Sequence, residues 1–176
     1  MHLMLDLETL GIHNYAPIIS YGAVLFDKSG IKDTLYKTLD VKQQIDGGYR
    51  QVDADTIKWW MSQGDAAKRV FRENSVETGV GLSELLPFTG SVPTKELMVW
   101  GNGPTFDIVL IETLMKHHNI KPPWIFRNVR DLRTYKDFVY DGRLTKNVGT
   151  AHNALDDAIY QAMIVIEGMN GARNEV

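Results

Sequence analysis

The sequence contains no cysteine, no excess of positive charge and no long hydrophobic run. The absence of cysteine excludes disulfide scaffolds, thiolate zinc sites and cysteine nucleophiles. Nineteen Lys and Arg against 22 Asp and Glu give a net charge of −3, which argues against a protein that holds duplex nucleic acid by charge alone. No segment approaches the ~18 apolar residues of a membrane span. Asp6 and Glu8 interrupt the apolar N-terminus too early for a signal peptide, so we expect a soluble, cytoplasmic protein.

The composition is that of a folded chain. Of its 176 residues 44% are hydrophobic, and neither an internal repeat nor a low-complexity linker divides them. We therefore predict a single domain over residues 1–176. Strands are predicted first, at residues 3–7, 17–27 and 31–39, with no helix between them. This order is typical of an antiparallel meander.

The later part of the chain alternates between helical and strand patterns. Helices are predicted from Asp53 or Asp55 through Met61, over 66–74, over 82–88, from Pro104 or Thr105 to about His118, and over 153–167. Short strands are predicted at 97–100 and 128–132. Together with the leading strands, this order predicts a mixed α/β sheet with helices on its faces.

Two carboxylates interrupt the first strand. Asp6 and Glu8 are two residues apart, so both side chains point to one face of the strand, whereas Leu5 and Leu7 point to the other. Buried carboxylates need a partner or a metal ion. The alternative interpretation is that the strand has ended and that both acids are solvated.

A third acid, Asp107, falls inside the apolar arc of the helix that contains Phe106, Leu110 and Leu114. A carboxylate on the buried face of a helix needs a partner. Because an acid in the first turn also interacts favourably with the helix dipole, a capping role is the alternative.

The segment that runs from His152 to Asp157 combines a histidine with two acids. On one helix, His152 and Asp157 would diverge by about 140°, so they can converge only if the helix begins after His152. Asn153 is a natural N-cap, and Asp156 then occupies a capping position. Asp157 has no such structural explanation.

Four carboxylates can share a site only where cations neutralise them. Oxygen ligands suit Mg²⁺ or Mn²⁺, and two such ions form a clamp for in-line attack on phosphates. A histidine such as His152 is a suitable general base for the attacking water.

The segments DLETLG from Asp6, NGPTFD from Asn102 and HNALDDA from His152 resemble the three motifs of the DEDDh 3′→5′ exonucleases. That superfamily includes the polymerase proofreading subunit, RNase T and oligoribonuclease. The stretches PIISYGAV, Trp59-Trp60, WGNGPTFD and RDLRT resemble most closely the small RNase AS-like and phage DexA-like exonucleases.

The resemblance implies a ribonuclease H-like fold, with a five-stranded mixed sheet whose first three strands are antiparallel. It also implies two divalent cations, Mg²⁺ or Mn²⁺, and the release of nucleoside 5′-monophosphates from a 3′ end. Asp6 would bridge the metals, Glu8 and Asp157 would bind the nucleophile's metal, Asp107 would hold the other largely through water, and His152 would deprotonate the water. Thr9 and Leu10 would line the terminal nucleotide, with Leu10 as an apolar wedge. Related exonucleases also imply a homodimer.

Other residues have two open interpretations each. Trp59 and Trp60 face about 100° apart on a helix, so one of them stacks on a base or both simply pack. Asn102 and Phe106 contact the terminal sugar or serve the turn and the core. Three arginines are expected either to bind phosphate or to lie on a solvated or intersubunit face: Arg127, Arg130 and Arg133. The remaining histidines are expected to be structural or to lie on the surface: His2, His13, His117 and His118.

We therefore predict an exonuclease that acts on single-stranded RNA or DNA or on 3′ overhangs. A catalytically inactive nucleic-acid-binding module and a metal phosphohydrolase of nucleotides or very short oligomers remain alternatives.

Overall fold

The computed structural model describes residues 1–139 and 149–171, and its centre is a five-stranded sheet. The strands lie in the order β3-β2-β1-β4-β5. Their bounds are β1 His2–Thr9, β2 Ile18–Asp27, β3 Gly30–Thr38, β4 Met98–Gly101 and β5 Val129–Asp131. The first three strands pair antiparallel, while β4 is parallel to both β1 and β5. The predicted meander and the predicted mixed sheet are therefore confirmed.

Seven α-helices are assigned in the described part of the chain. They are α1 Val41–Asp46, α2 Ala54–Ser62, α3 Thr78–Ser83, α4 Leu85–Thr89, α5 Asp107–His117, α6 Leu132–Val139 and α7 Ala154–Gly171, with 3₁₀ turns at Ala67–Arg72 and Phe126–Asn128. The prediction for 66–74 was therefore wrong in type, because the segment is a 3₁₀ helix.

The single helix predicted over 82–88 is also corrected, because α3 ends at Ser83 and a separate α4 follows. Pro87 has no N–H to donate to the Ser83 carbonyl, so a continuous helix would lack that bond. Leu132 begins α6 rather than ending a strand, and Asp131 caps α6 by accepting the Arg133 N–H at 3.1 Å and the Thr134 hydroxyl at 2.6 Å.

The sheet separates two hydrophobic clusters. On one face, the leucines at positions 3, 5 and 7 of β1 pack with the apolar side of α5. On the other face, Met4 packs with Ala158, Ala162 and Val165 of α7. Because side chains alternate along a strand, Asp6 and Glu8 continue the Met4 row and face α7.

Gly22 determines how closely α7 approaches the sheet. It pairs with Asp6 across β1 and β2, and a Cβ atom there would lie 2.1 Å from the Ala154 carbonyl oxygen. Only glycine allows the first turn of α7 to rest directly on β2. The start of α7 is thereby held over the carboxyl end of β1.

None of the helices in residues 1–139 and 149–171 has the length and apolar character needed to cross a membrane.

Candidate active site

Three chain segments meet at the carboxyl end of β1: β1 itself, the start of α5 and the loop before α7. Asp6 is half-buried and Glu8 is buried, while Leu5 and Leu7 belong to the core on the opposite face. The interpretation that this strand ends before the acids is therefore wrong. Asp107 is the first residue of α5 and is only 6% exposed, as its place in the apolar arc predicted.

The environment of these acids opposes their ionisation. Burial, followed by the negative charge of Asp107, raises the pKa of Asp6 well above its usual range. Burial, followed by the charges of Asp157 and Asp107, raises the pKa of Glu8 to about 8. Burial also raises the pKa of Asp107 to about 7, although the positive charge of Arg133 opposes that rise. The acids are thus close enough to repel one another, and a cation placed among them would relieve the repulsion.

The loop before α7 brings His152 back toward Asp157. The helix begins at Ala154, and Asn153 Oδ1 accepts the N–H groups of Leu155 and Asp156, each at 3.1 Å, so the predicted N-cap is confirmed. His152 has a left-handed backbone with φ of 63°. Its N–H donates to Asp157 Oδ2 at 2.9 Å, which joins the loop to the helix.

Asp156 has a different role from its neighbour. Its Oδ2 accepts the Thr150 N–H at 2.7 Å, so it ties the preceding loop to the first turn of α7. Gly149, with φ of 113°, has no side chain because a Cβ would lie 2.4 Å from the Asp156 Cγ. The role of Asp156 is structural, as predicted, but its partner is a loop N–H and not one of the first N–H groups of α7: it holds the loop that carries His152.

Glu8, His152 and Asp157 form a group whose ligand atoms all lie within 4.8 Å of one another. The same residues, with Asp6 and Asn102, line a pocket of about 370 Å³. Carboxylate oxygens suit hard divalent ions such as Mg²⁺ or Mn²⁺, and a bound cation would offset the mutual repulsion of these acids. The residues present therefore fit a cation site.

The two tryptophans differ in burial, so the interpretation that both simply pack does not hold for Trp59. Trp60 is only 3% exposed, and its Nε1 donates to the Thr9 carbonyl at 2.9 Å. Trp59 is 41% exposed, and its ring meets that of His152 edge to face at 4.8 Å. Trp60 thus supports the end of β1, while Trp59 presents an aromatic surface beside the site.

The other residues predicted to contact substrate differ in how far they are buried. Thr9 is half-buried, and its hydroxyl donates to the Gly11 carbonyl at 2.7 Å. Leu10 is 6% exposed and packs in a small cluster with Trp60, so most of its side chain is core. Asn102 lines the pocket, whereas Phe106 packs half-buried against the core beside α5. Of these residues, Asn102 is the one that the structure places on the pocket wall.

Three pocket-lining polar residues were missed by sequence reasoning: Lys136, Tyr160 and Gln161. Gln161 had a detectable signal, because it lies four residues after Asp157 and therefore on the same face of α7. Its Nε2 donates to Asp6 Oδ1 at 2.6 Å. Lys136 lies on α6, a helix that was not predicted.

The three arginines have separate roles. Arg133 lies beside the site, where its charge acts on Asp107. Arg130 Nη1 donates to the Arg127 and Val129 carbonyls, both at 2.9 Å, so it stabilises the conformation of its own loop. Arg127 lies over the ring of Phe126. The remaining histidines each stack on or face another aromatic ring away from the carboxylates: His2, His13, His117, His118.

A family model described as the 3′-5′ exoribonuclease Rv2179c-like domain matches residues 1–169. The chain belongs to that family. As an Rv2179c-like domain it is a 3′-5′ exonuclease, a hydrolase of phosphodiester bonds. Comparison with curated proteins gives no significant match.

Solved structures share the fold of this Rv2179c-like domain. The nuclease domain of 3′hExo, a DEDDh family member solved with rAMP bound, is 16% identical with a TM-score of 0.64, over 97% of this chain and 92% of that one. E. coli Exonuclease I, solved with a dA16 oligonucleotide, is 11% identical with a TM-score of 0.62, over 97% of this chain and 42% of that one. At these identities the likeness establishes the fold alone, and the predicted ribonuclease H-like architecture is confirmed.

Proposed function

We propose that this chain removes nucleotides one at a time from the 3′ end of single-stranded RNA or DNA, or of a 3′ overhang, with the help of two divalent cations. The single observation that carries the proposal is the convergence of Glu8, His152 and Asp157 within 4.8 Å, in a pocket shared with Asp6. The acids oppose one another's ionisation, which supports a site completed by Mg²⁺ or Mn²⁺.

Four acids would hold the cations: Asp6, Glu8, Asp107 and Asp157. When bound, two such ions would stabilise the charge that develops on the attacking and leaving oxygens of an in-line displacement. Asp157 also accepts the His152 backbone N–H at 2.9 Å, so it would join the cation site to the loop that carries the histidine.

His152 acts as the general base in this proposal. Its ring accepts a proton from the attacking water, while the water oxygen forms the new bond to phosphorus and the bond from phosphorus to the 3′ oxygen breaks. The leaving 3′ oxygen takes a proton from solvent, so the shortened strand ends in a 3′ hydroxyl, and the product released is a nucleoside 5′-monophosphate. Asp157 supports this role because its bond to the His152 N–H fixes the loop on which the ring is mounted.

Substrate contacts are assigned to the residues around the pocket. Trp59 offers its exposed ring to a base, and such stacking contributes roughly 1–3 kcal/mol per base. Thr9 and Leu10 would line the terminal nucleotide, and Asn102 and Phe106 would reach its sugar. The family description favours RNA over DNA as the substrate.

Three further proposals rest on the family model or on the sequence alone. We propose that residues 1–176 act as one exonuclease domain, of which the family model covers 1–169. A homodimer is proposed on the resemblance to small exonucleases alone, and light scattering during gel filtration would test it. A cytoplasmic location remains a prediction from the sequence.

The decisive experiment follows 5′-labelled single-stranded RNA and DNA of one sequence, with Mg²⁺, with Mn²⁺ and with EDTA. We expect a ladder that shortens from the 3′ end only when a divalent ion is present, and no ladder from Asp6→Ala. Asp33→Ala, which removes an exposed acid of β3, is the matched control and should retain the wild-type rate. Circular dichroism verifies that both variants are folded.

Three outcomes would contradict the proposal. A wild-type rate in Asp6→Ala would refute the carboxylate site. Intact strands that remain bound in Mg²⁺ would indicate a nucleic-acid-binding module. Cleavage confined to dimers or mononucleotides, on a series of increasing oligomer length, would indicate a phosphohydrolase of short substrates.

A further inference from the structure

Gln161 is a buried amide that contacts one of the clustered carboxylates, Asp6. It lies on α7 and is 7% exposed, and its side chain also lines the pocket that contains Asp6 and Glu8. Its position four residues after Asp157 places both side chains on the same face of the helix. A long polar side chain is seldom buried to this extent without a specific reason.

The two polar atoms of this amide differ in their hydrogen bonding. Nε2 donates to Asp6 Oδ1 at 2.6 Å, whereas Oε1 is buried and has no hydrogen-bond partner among the described residues. A buried acceptor without a donor is destabilising, because it has lost the hydrogen bonds that it would make with water. An apolar side chain of similar length would fill the same space without that cost, so stability alone does not account for glutamine here.

A second buried glutamine shows what a purely structural role looks like. Gln44 donates from Nε2 to the Ile18 carbonyl at 2.9 Å and accepts the Ile18 N–H at 2.9 Å. Both ends of that amide are satisfied by backbone, and it joins α1 to β2. Gln161 leaves one end unsatisfied and directs the other at a carboxylate, which points to a role at that carboxylate.

The bond from Gln161 constrains the Asp6 side chain. Asp6 is repelled by Asp107, Glu8 and Asp157, so without a fixed donor its carboxylate would rotate to lessen that repulsion. A donor held on α7 fixes the plane of the carboxylate through Oδ1. Outer partners of this kind orient metal ligands and commonly contribute 10–100-fold to metal affinity.

We propose that Gln161 is a positioning residue that holds the Asp6 carboxylate in the orientation required for divalent cation binding. This inference rests on the proposed function, because it assumes that Asp6 is a metal ligand. Helix α7 would then contribute Gln161 to the site in addition to Asp157.

Gln161→Met tests the inference because it keeps the length of the side chain and removes the donor. We expect calorimetric titration with Mn²⁺ to show affinity lowered by about 10–100-fold. The melting temperature in EDTA should change little, because removal of the unsatisfied Oε1 offsets the loss of the bond to Asp6. A residue needed only for structure would give the reverse: lower stability and unchanged affinity.

Gln44→Met is the matched control, since it alters a buried glutamine outside the pocket. It should lower the melting temperature and leave Mn²⁺ affinity unchanged. Gln161→Asn provides a second test should the methionine variant not fold, because it retains the amide but is one methylene too short to reach Asp6. It should also weaken Mn²⁺ binding.

The outcomes separate this inference from the proposed function. Wild-type protein that does not bind Mn²⁺ would refute the cation site itself. Wild-type binding that is lost in Asp6→Ala but unchanged in both Gln161 variants would refute the positioning role alone.

Discussion

Acids in two regions of the molecule experience opposite surroundings. Around α1, α2 and α3, acidic side chains accept backbone N–H groups: Asp40 from Gln43 at 3.0 Å, Asp53 from Asp55 at 2.8 Å, and Glu77 from Gly79 and Val80. The backbone N–H of Gly79 and the amide of Gln43 are the main causes that lower the pKa of Glu77. At the end of β1, by contrast, burial and neighbouring acids raise the pKa of Asp6 and Glu8.

The difference teaches how to separate structural from functional acids. A carboxylate that accepts N–H groups is stabilised in its charged form by the fold itself. At Asp6 and Glu8, burial and the neighbouring carboxylates dominate, and the amide bond from Gln161 to Asp6 does not offset them. The fold itself stabilises the charges of the first region, whereas a bound cation would stabilise those of the second.

The largest expected effect comes from the imidazole in the second region. His152→Ala should lower the rate by ~10²–10⁴, the usual contribution of a general base, while melting temperature changes little. His117→Ala is the control, because His117 is exposed and stacks on Tyr49 outside the site. Single-turnover cleavage of labelled RNA would measure both, and equal rates in the two variants would refute the role of His152.

Much of this arrangement could be predicted because it follows from local rules. The alternation of side chains along β1 placed Asp6 and Glu8 on one face, and the position of Asn153 predicted the start of α7. The convergence of His152 and Asp157 followed from that helix start. These features depend on neighbours in sequence, which a periodic pattern describes.

The rest depends on contacts between distant segments. Gln161 meets Asp6 only because Gly22 lets α7 rest on β2, and no local pattern reports that approach. Trp59 and Trp60 were separated in angle, but which one is buried depends on the Thr9 carbonyl that Trp60 contacts. The helix α6 was missed although Leu132, Tyr135 and Val139 recur at a helical spacing, because Leu132 was assigned to the end of the preceding strand.

The comparison also predicts opposite responses to pH in metal-free protein. Glu8 has a pKa raised from 4.5 to about 8, so the folded state holds its proton more tightly than the unfolded state does. Stability in EDTA should therefore fall as pH rises through the window from about 4.5 to 8. Glu8→Gln should flatten that decline and raise the melting temperature at pH 8.5 by at least about 2–4 °C, the equivalent of 1 kcal/mol in a chain of this size.

Glu77→Gln tests the same distinction with an acid of the other region. Because the folded state lowers the pKa of Glu77, its contribution to stability is present above the unfolded pKa and is lost as pH falls. This variant should lower the melting temperature at neutral pH. Equal signs for Glu8→Gln and Glu77→Gln, in melts recorded from pH 5.5 to 8.5, would contradict the distinction between the two regions.

The smallest expected effect concerns Asp156, which lies in the site region but bonds like a structural acid. Asp156 Oδ2 accepts the Thr150 N–H at 2.7 Å, so Asp156→Ala should lower the free energy of unfolding by about 1 kcal/mol, as the loss of a cap does. Urea denaturation measures that change. Asp157→Ala, at the neighbouring position, should instead abolish most cleavage, because Asp157 shares the ligand group with Glu8 and His152. Both acids accept a backbone N–H, so membership of the ligand group is what separates them. A larger loss of rate at Asp156 than at Asp157 would mean that this group does not identify the functional acid, and the assignment of these two neighbours would have to be exchanged.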